Sequence, residues 1–122
     1  MANEIKVIAS LECTNGNFKL PRLGSSQLSI TQTTRGGGVP GLVLATTAGL
    51  DVVTTGVSAL GWCYLLNTDP TNYVEWGPYS GAFYPIGRLK PGESAVFRLG
   101  AYVLHLKANT ATCKVQVVIL ED

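Results

Sequence analysis

The sequence predicts an all-β fold, an antiparallel β-sandwich of jelly-roll-like or partly open barrel form. Three observations carry that expectation. Apolar side chains recur with a period of two, as in Ile5, Val7, Ala9 and Leu11, which is the spacing of a half-buried strand. No stretch of about 11 residues or more shows the i, i+3, i+4, i+7 spacing of an amphipathic helix. Gly, Pro, Asn or Asp interrupts the chain roughly every 8–12 residues, which is the rhythm of a sandwich or barrel of about nine or ten short strands.

The elements follow in order. After the run from Ile5 to Leu11, Phe18 and Leu20 flank Lys19 until Pro21 stops the strand. Leu28 and Ile30 alternate with Ser29 and Thr31. Arg35-Gly36-Gly37-Gly38-Val39-Pro40-Gly41 is expected to be a long loop, because consecutive glycines lose much backbone entropy on ordering and offer nothing to pack. Leu42-Val43-Leu44 and Val52-Val53-Thr54-Thr55 are short β-branched or apolar runs bounded by glycine. Trp62-Cys63-Tyr64-Leu65-Leu66 is apolar on both faces, hence a central or covered strand. Tyr73-Val74-Glu75-Trp76 and Ala82-Phe83-Tyr84-Pro85-Ile86 read as hairpin arms around Gly77–Gly81. Lys90-Pro91-Gly92-Glu93 is a Pro-Gly turn. Strands are then expected over Ser94–Leu99, Tyr102–Lys107 and Lys114–Leu120, with Asn109-Thr110 as the turn between the last two.

A length of 122 residues fits one domain, taken as a single sandwich over 1–122. Nine Lys plus Arg against eight Asp plus Glu leave a net charge of +1. That balance argues against nucleic acid as a partner, which needs a basic patch to displace phosphate counterions. It argues equally against a polybasic membrane surface. No window supplies about 18 consecutive apolar residues, so no transmembrane helix is expected. Met1-Ala2-Asn3-Glu4-Ile5-Lys6 places an acid where a secretory leader carries its basic residue, so no cleaved leader is expected.

Chemistry is sparsely represented. Cys13, Cys63 and Cys113 form no Cys-x-x-Cys pair, and His105 is the single histidine. A zinc site needs about four N or S ligands, so no metal and no cofactor is expected, and the thiols are read as mostly buried hydrophobes. Gly36 to Gly41 formally satisfies G-x-G-x-x-G, but a strand-like run follows it where a phosphate-binding helix would be required. His105 lacks a marked nucleophile and is read as a solvated or hydrogen-bonded strand histidine. The carboxylates are scattered singly until Glu121-Asp122. No catalytic residue is assigned, and an enzyme is not expected.

Two features point to an interface. Five of the ten aromatic residues lie between Tyr73 and Tyr84. Such side chains give contact area at low entropic cost. Alternation puts Tyr73 and Trp76 on opposite faces of one arm, so about half of the cluster must be core, and Tyr79 at the hairpin tip is expected to be exposed. The second feature is a shortage of charge. Residues 36 to 68 number 33 and include one charged residue, Asp51. Average usage would give about eight. Coverage by other chains resolves this most simply; the competing reading is a surface hydrated by Thr hydroxyls and backbone. Leu44, Val53, Tyr73, Trp76, Tyr79 and Tyr84 are therefore the interface candidates, with charge at Leu44 or Val53 expected to be costly.

The segment Leu66-Asn67-Thr68-Asp69-Pro70-Thr71-Asn72-Tyr73-Val74-Glu75-Trp76-Gly77, then Phe83-Tyr84-Pro85-Ile86, Leu89-Lys90-Pro91-Gly92-Glu93 and Val96-Phe97-Arg98-Leu99, carries a resemblance. It resembles small β-rich structural proteins of tailed-bacteriophage virions, head decoration or cement proteins in particular. The resemblance implies a virion protein assembled in the host cytoplasm. It also implies a homo-oligomer, a trimer ahead of a dimer, that binds the major capsid protein and bridges capsid subunits by shape and apolar contact. Two alternatives stand beside it. One is a carbohydrate-binding sandwich module using Tyr79, Tyr84 or Trp76 as stacking platforms; the other is a tail or baseplate structural component.

Overall fold

The computed structural model describes residues 3–24, 26–100 and 102–122; Met1 and Ala2, which belong to the leader reading, lie outside them, as do Ser25 and Ala101. The chain divides into two compact units, Met1–Thr33 and Thr34–Asp122. Both are built from antiparallel β-structure, and the described residues contain no helix.

In the first unit, β1 (Ile5–Val7) pairs with β4 (Leu28–Ile30), and β2 (Ser10–Asn15) pairs with β3 (Phe18–Gly24). The alternating run from Ile5 to Leu11 is thus two strands and not one, because its halves take different partners. Gly16 sits at φ +57° in the two-residue turn between Asn15 and Phe18, a conformation that favours glycine in a tight hairpin. The Gln32 amide donates to the Glu4 carboxylate at 3.1 Å, and Lys6 Nζ donates to Ser29 Oγ at 3.2 Å, tying the ends of the β1–β4 pair. Ile5 is the one buried side chain among the described residues of this unit.

The second unit holds eight strands: β5 (Gly37–Ala45), β6 (Leu50–Asp51), β7 (Leu60–Asn67), β8 (Val74–Tyr79), β9 (Gly87–Leu89), β10 (Ser94–Arg98), β11 (Val103–Ala108) and β12 (Cys113–Glu121). Their pairings nest. β5 pairs with β12, β6 with β11, β7 with β10 and β8 with β9, all antiparallel. β12 also flanks β7, and β11 flanks β8, giving two four-stranded sheets of order β10-β7-β12-β5 and β6-β11-β8-β9. A long double-stranded ribbon wound back on itself in this way is a jelly roll. The expectation of a jelly-roll-like sandwich is met in this unit.

The core lies between the two sheets. β7 contributes Cys63 and Leu65, and β12 contributes Cys113, Val115, Val117 and Ile119; Val74, Leu89, Leu104, Leu106 and Ala108 meet them from the other sheet. Trp76 of β8 stacks on Phe97 of β10 with centroids 4.6 Å apart. Each fully buried Leu, Val or Ile contributes about 1.5–3 kcal/mol relative to exposure. β7 lies between β10 and β12, as a strand apolar on both faces should.

Three local expectations need correction. The glycine-rich stretch is mostly strand: β5 begins at Gly37 and runs through Pro40 and Gly41 against β12. Pro40 is tolerated because β5 is a sheet edge, with one side of its backbone unpaired. Gly37, at φ +108°, is required where the register shifts, since a Cβ there would lie 2.6 Å from the Ile119 carbonyl oxygen. Val52–Thr55 is not a strand. β6 stops at Asp51, and Val52 alone continues the attachment by donating its amide to the Leu104 carbonyl at 2.8 Å. Phe83–Ile86 is an irregular segment that follows the β8 edge, with the Tyr84 and Ile86 amides donating to the Pro78 and Trp76 carbonyls before β9 begins.

Candidate functional site

The two sheets of the jelly roll present very different outer faces. On β6-β11-β8-β9 the outward positions are mostly polar, with Val103 opposite Tyr79 as an exposed apolar pair at one end. Asp51 lies opposite His105, and His105 lies opposite Gly77; Lys107 lies opposite Glu75, and Glu75 opposite Arg88. Arg88 reaches Glu75 at 3.4 Å and covers the Tyr73 ring at 4.0 Å. His105 Nδ1 lies 2.8 Å from Asp51 Oδ1, and its ring is flanked by Tyr79 and Phe83 at 4.9 and 4.7 Å. Gly49 makes room for this ring, because a Cβ there would lie 2.4 Å from His105 Nε2. The histidine is held by one carboxylate and two aromatic rings, the hydrogen-bonded strand histidine that the sequence led us to expect.

The outward face of β10-β7-β12-β5 is mostly apolar, with Ser94, Gln116 and Lys114 as its polar members toward one end. Register places Val96, Tyr64, Val118 and Pro40 in one row across the four strands. The next row is Ser94, Leu66, Gln116 and Leu42, and Leu44 lies opposite Lys114 beyond it. At the other end Arg98 lies opposite Trp62, with its guanidinium 5.5 Å from that ring and 3.0 Å from Asp122. Leu42 is 62% exposed and Leu44 53%. Trp62 Nε1 is out of water and has no acceptor among the described residues. Four strands about 4.8 Å apart and about eight residues long present roughly 500 Å² of sheet face.

The first unit repeats the theme on a smaller scale. In the β2–β3 hairpin Leu11 lies opposite Leu23, Cys13 opposite Leu20 and Asn15 opposite Phe18, so these share one side. Thr14 and Lys19 share the other. The apolar side is open: Leu11 is 65% and Phe18 66% exposed.

Two cavities lie at one end of the sandwich. One of about 210 Å³ is lined by Trp76, Pro78, Ile86, Phe97, Leu99 and Tyr102, among others. The other, about 290 Å³, includes Val52, Thr54 and Leu60. Both fall below the roughly 300–1,000 Å³ of typical small-molecule sites. Among the described residues no group of three or more His, Cys, Asp or Glu could hold a metal ion, and no helix is long and apolar enough to cross a membrane.

The thiols divide. Cys63 and Cys113 are buried, and desolvation pushes the Cys63 thiol up to about 12 and raises Cys113 as well. Cys13 is exposed on the β2–β3 hairpin, so the thiols are mostly buried as expected, with this one exception.

The six predicted interface residues do not form one patch. Leu44 stands on the apolar outer face. Val53 is exposed in the segment after β6, and Tyr84 in the segment between β8 and β9. Tyr73 packs under Arg88, while Tyr79, 40% exposed, leans on His105. The Trp76 ring turns inward, between Phe97 on one side and Gly87, whose added Cβ would lie 2.4 Å from the indole. Leu42, Tyr64, Leu66, Val96 and Val118 were not singled out. Their signal was present in runs too apolar to alternate, but only strand order shows that such runs lie side by side.

Comparison with protein-family models, with curated proteins and with solved structures finds no match to this chain.

Proposed function

We propose that this chain is a structural component of a phage virion, a capsid decoration protein that stabilises the head by bridging capsid subunits. The observation that carries the reading is the apolar outer face of the β10-β7-β12-β5 sheet, set against the charged outer face of its companion sheet. Contact surfaces between proteins are depleted of charge at their centres and rich in aromatic and aliphatic side chains. A contiguous apolar patch of a few hundred Å² is often a binding surface.

Magnitudes favour assembly by repetition. At about 25 cal/mol/Å² of apolar area, a face of roughly 500 Å² shared with Ser94, Gln116 and Lys114 contributes at most about 12 kcal/mol, against association costs of about 4–15 kcal/mol. One such contact is marginal. Contacts repeated by the symmetry of a homo-oligomer, a trimer ahead of a dimer, on a capsid lattice become strong through effective concentration. The likeness of Leu66–Leu99 to decoration proteins supports the same reading. The jelly roll serves viral capsids and lectins alike, so the fold does not choose between the virion part and a carbohydrate module. Trp76 is partly buried with its ring stacked on Phe97, which counts against one of that module's three stacking platforms.

Heads assembled with and without the chain test the proposal, by electron microscopy and by the temperature at which they release DNA. Added density on the shell and a higher release temperature are expected. Identical particles, or specific binding in a glycan screen, overturn the reading.

A further inference from the structure

We propose that the apolar side of the β2–β3 hairpin of one copy docks on the outer face of the β10-β7-β12-β5 sheet of a second copy. The inference rests on the self-association in the function proposed above and names the two surfaces that meet. Its first support is that the hairpin cannot sustain its own order. Units below about 40 residues usually need a staple or an assembly partner, and an isolated two-stranded hairpin is marginal in water. Among its described residues this unit buries one side chain, Ile5, and leaves Leu11, Phe18 and Leu23 open on one side of the hairpin.

The second support is the fit between the surfaces. Strands of six and seven residues span about 20 Å, and the receiving sheet spans about 26 Å across its eight- and nine-residue strands. Face-to-face sheet packing at about 10 Å needs apolar side chains on both partners. The hairpin supplies Leu11, Phe18 and Leu23; the sheet supplies Leu42, Leu44 and Val96. No charged residue stands among the paired positions of the hairpin's apolar side; on the sheet the charges lie at the two ends of the face, Arg98 paired with Asp122 at one and Lys114 beside Leu44 at the other.

The third support is economy. Every copy carries one hairpin and one such face, and the two differ from each other. A contact between unlike surfaces runs head to tail and closes into a ring when the rotation allows, with no surface left over. This commits the occupant to a second copy of the chain in preference to a foreign protein.

The test uses the full chain and reads mass in solution. The wild type is expected to be a multimer. Leu11→Ser with Leu23→Ser, which spoils the hairpin, and Leu42→Ser with Leu44→Ser, which spoils the face, should each give a monomer with an unchanged far-ultraviolet spectrum. Mixed, these two variants should form a one-to-one dimer, since one keeps an intact face and the other an intact hairpin. A mixture that stays monomeric, or a hairpin variant that stays multimeric, overturns this inference and leaves self-association standing. A monomeric wild type overturns both.

A second measurement avoids any dependence on folding of the serine variants. Leu42→Cys, oxidised in the presence of the native Cys13, should give a disulfide between copies. A bond within one chain, or none, overturns the proposal.

Discussion

At the scale of single residues, Asn67 ties more backbone than any apolar neighbour. Its side chain is fully buried at the end of β7. Nδ2 donates to the Asn72 and Leu89 carbonyls, each at 2.9 Å, and Oδ1 accepts from the Asp69 amide at 3.0 Å. Asn67→Leu keeps the branched outline of the side chain, adds some bulk and strands three backbone groups. The cost should be about 3 kcal/mol, read as a lower urea midpoint at unchanged slope. Two carboxylates likewise hold backbone amides, one beside Asn67 in sequence and one at the opposite end of β7. Asp69 accepts from the Asn72 and Thr71 amides, and Glu121 from the Ser58 hydroxyl and amide; these bonds hold both carboxyls below their ordinary values of 3.8 and 4.5. A carboxyl lowered on folding contributes stability that is present above its unfolded value and disappears as the pH falls through its folded value. The melting temperature should therefore hold steady at neutral pH and drop once the pH passes below the ordinary carboxylate range. Asp69→Asn with Glu121→Gln should flatten that acid limb, and an equally steep limb in the double variant would refute the assignment.

At the scale of elements, close approach decides what the sequence alone left unread. Gly77 of β8 is buried, and a Cβ there would lie 2.3 Å from the Tyr84 carbonyl oxygen and 3.0 Å from the Ile86 amide. Gly77→Ala must push the 84–86 segment off the β8 edge. Overpacking of this kind should cost about 2 kcal/mol in thermal or urea unfolding. The substitution should also raise amide exchange at Tyr84 and Ile86, whose protons are held by Pro78 and Trp76. The period of two and the Pro91-Gly92 turn were legible: Gly92 takes φ +81°, and the Glu93 amide returns to the Lys90 carbonyl at 3.0 Å. The strand character of Gly37–Gly41 was not, because its ladder comes entirely from β12, more than 70 residues later in the chain. The candidate face was hidden for the same reason. Leu42, Tyr64, Val96 and Val118 carry no local mark that separates them from core, and only strand order shows that they point away from it.

At the scale of the whole molecule, the distribution of charge sets how association should respond to conditions. Seventeen ionic groups of nearly balanced sign give a net charge of +1; Arg88 pairs with Glu75 on the β6-β11-β8-β9 sheet, and Arg98 with Asp122 at the margin of the other. An assembly held by ion pairs would weaken as salt shortens the screening length from about 10 Å at 0.1 M to about 3 Å at 1 M. An assembly held by the apolar positions of the sheet face has little for salt to screen, only Lys114 and the Arg98–Asp122 pair at its ends. Its driving force is entropic near room temperature and fades on cooling. Mass in solution should therefore stay constant from low salt to about 1 M sodium chloride, where surface ion pairs are fully screened. Cooling from about 25 °C toward 4 °C at fixed concentration should shift the population toward smaller species, in proportion to the apolar area released. The two responses separate the causes: dissociation by salt without any effect of cooling would place the association on charged groups and remove the apolar face from it.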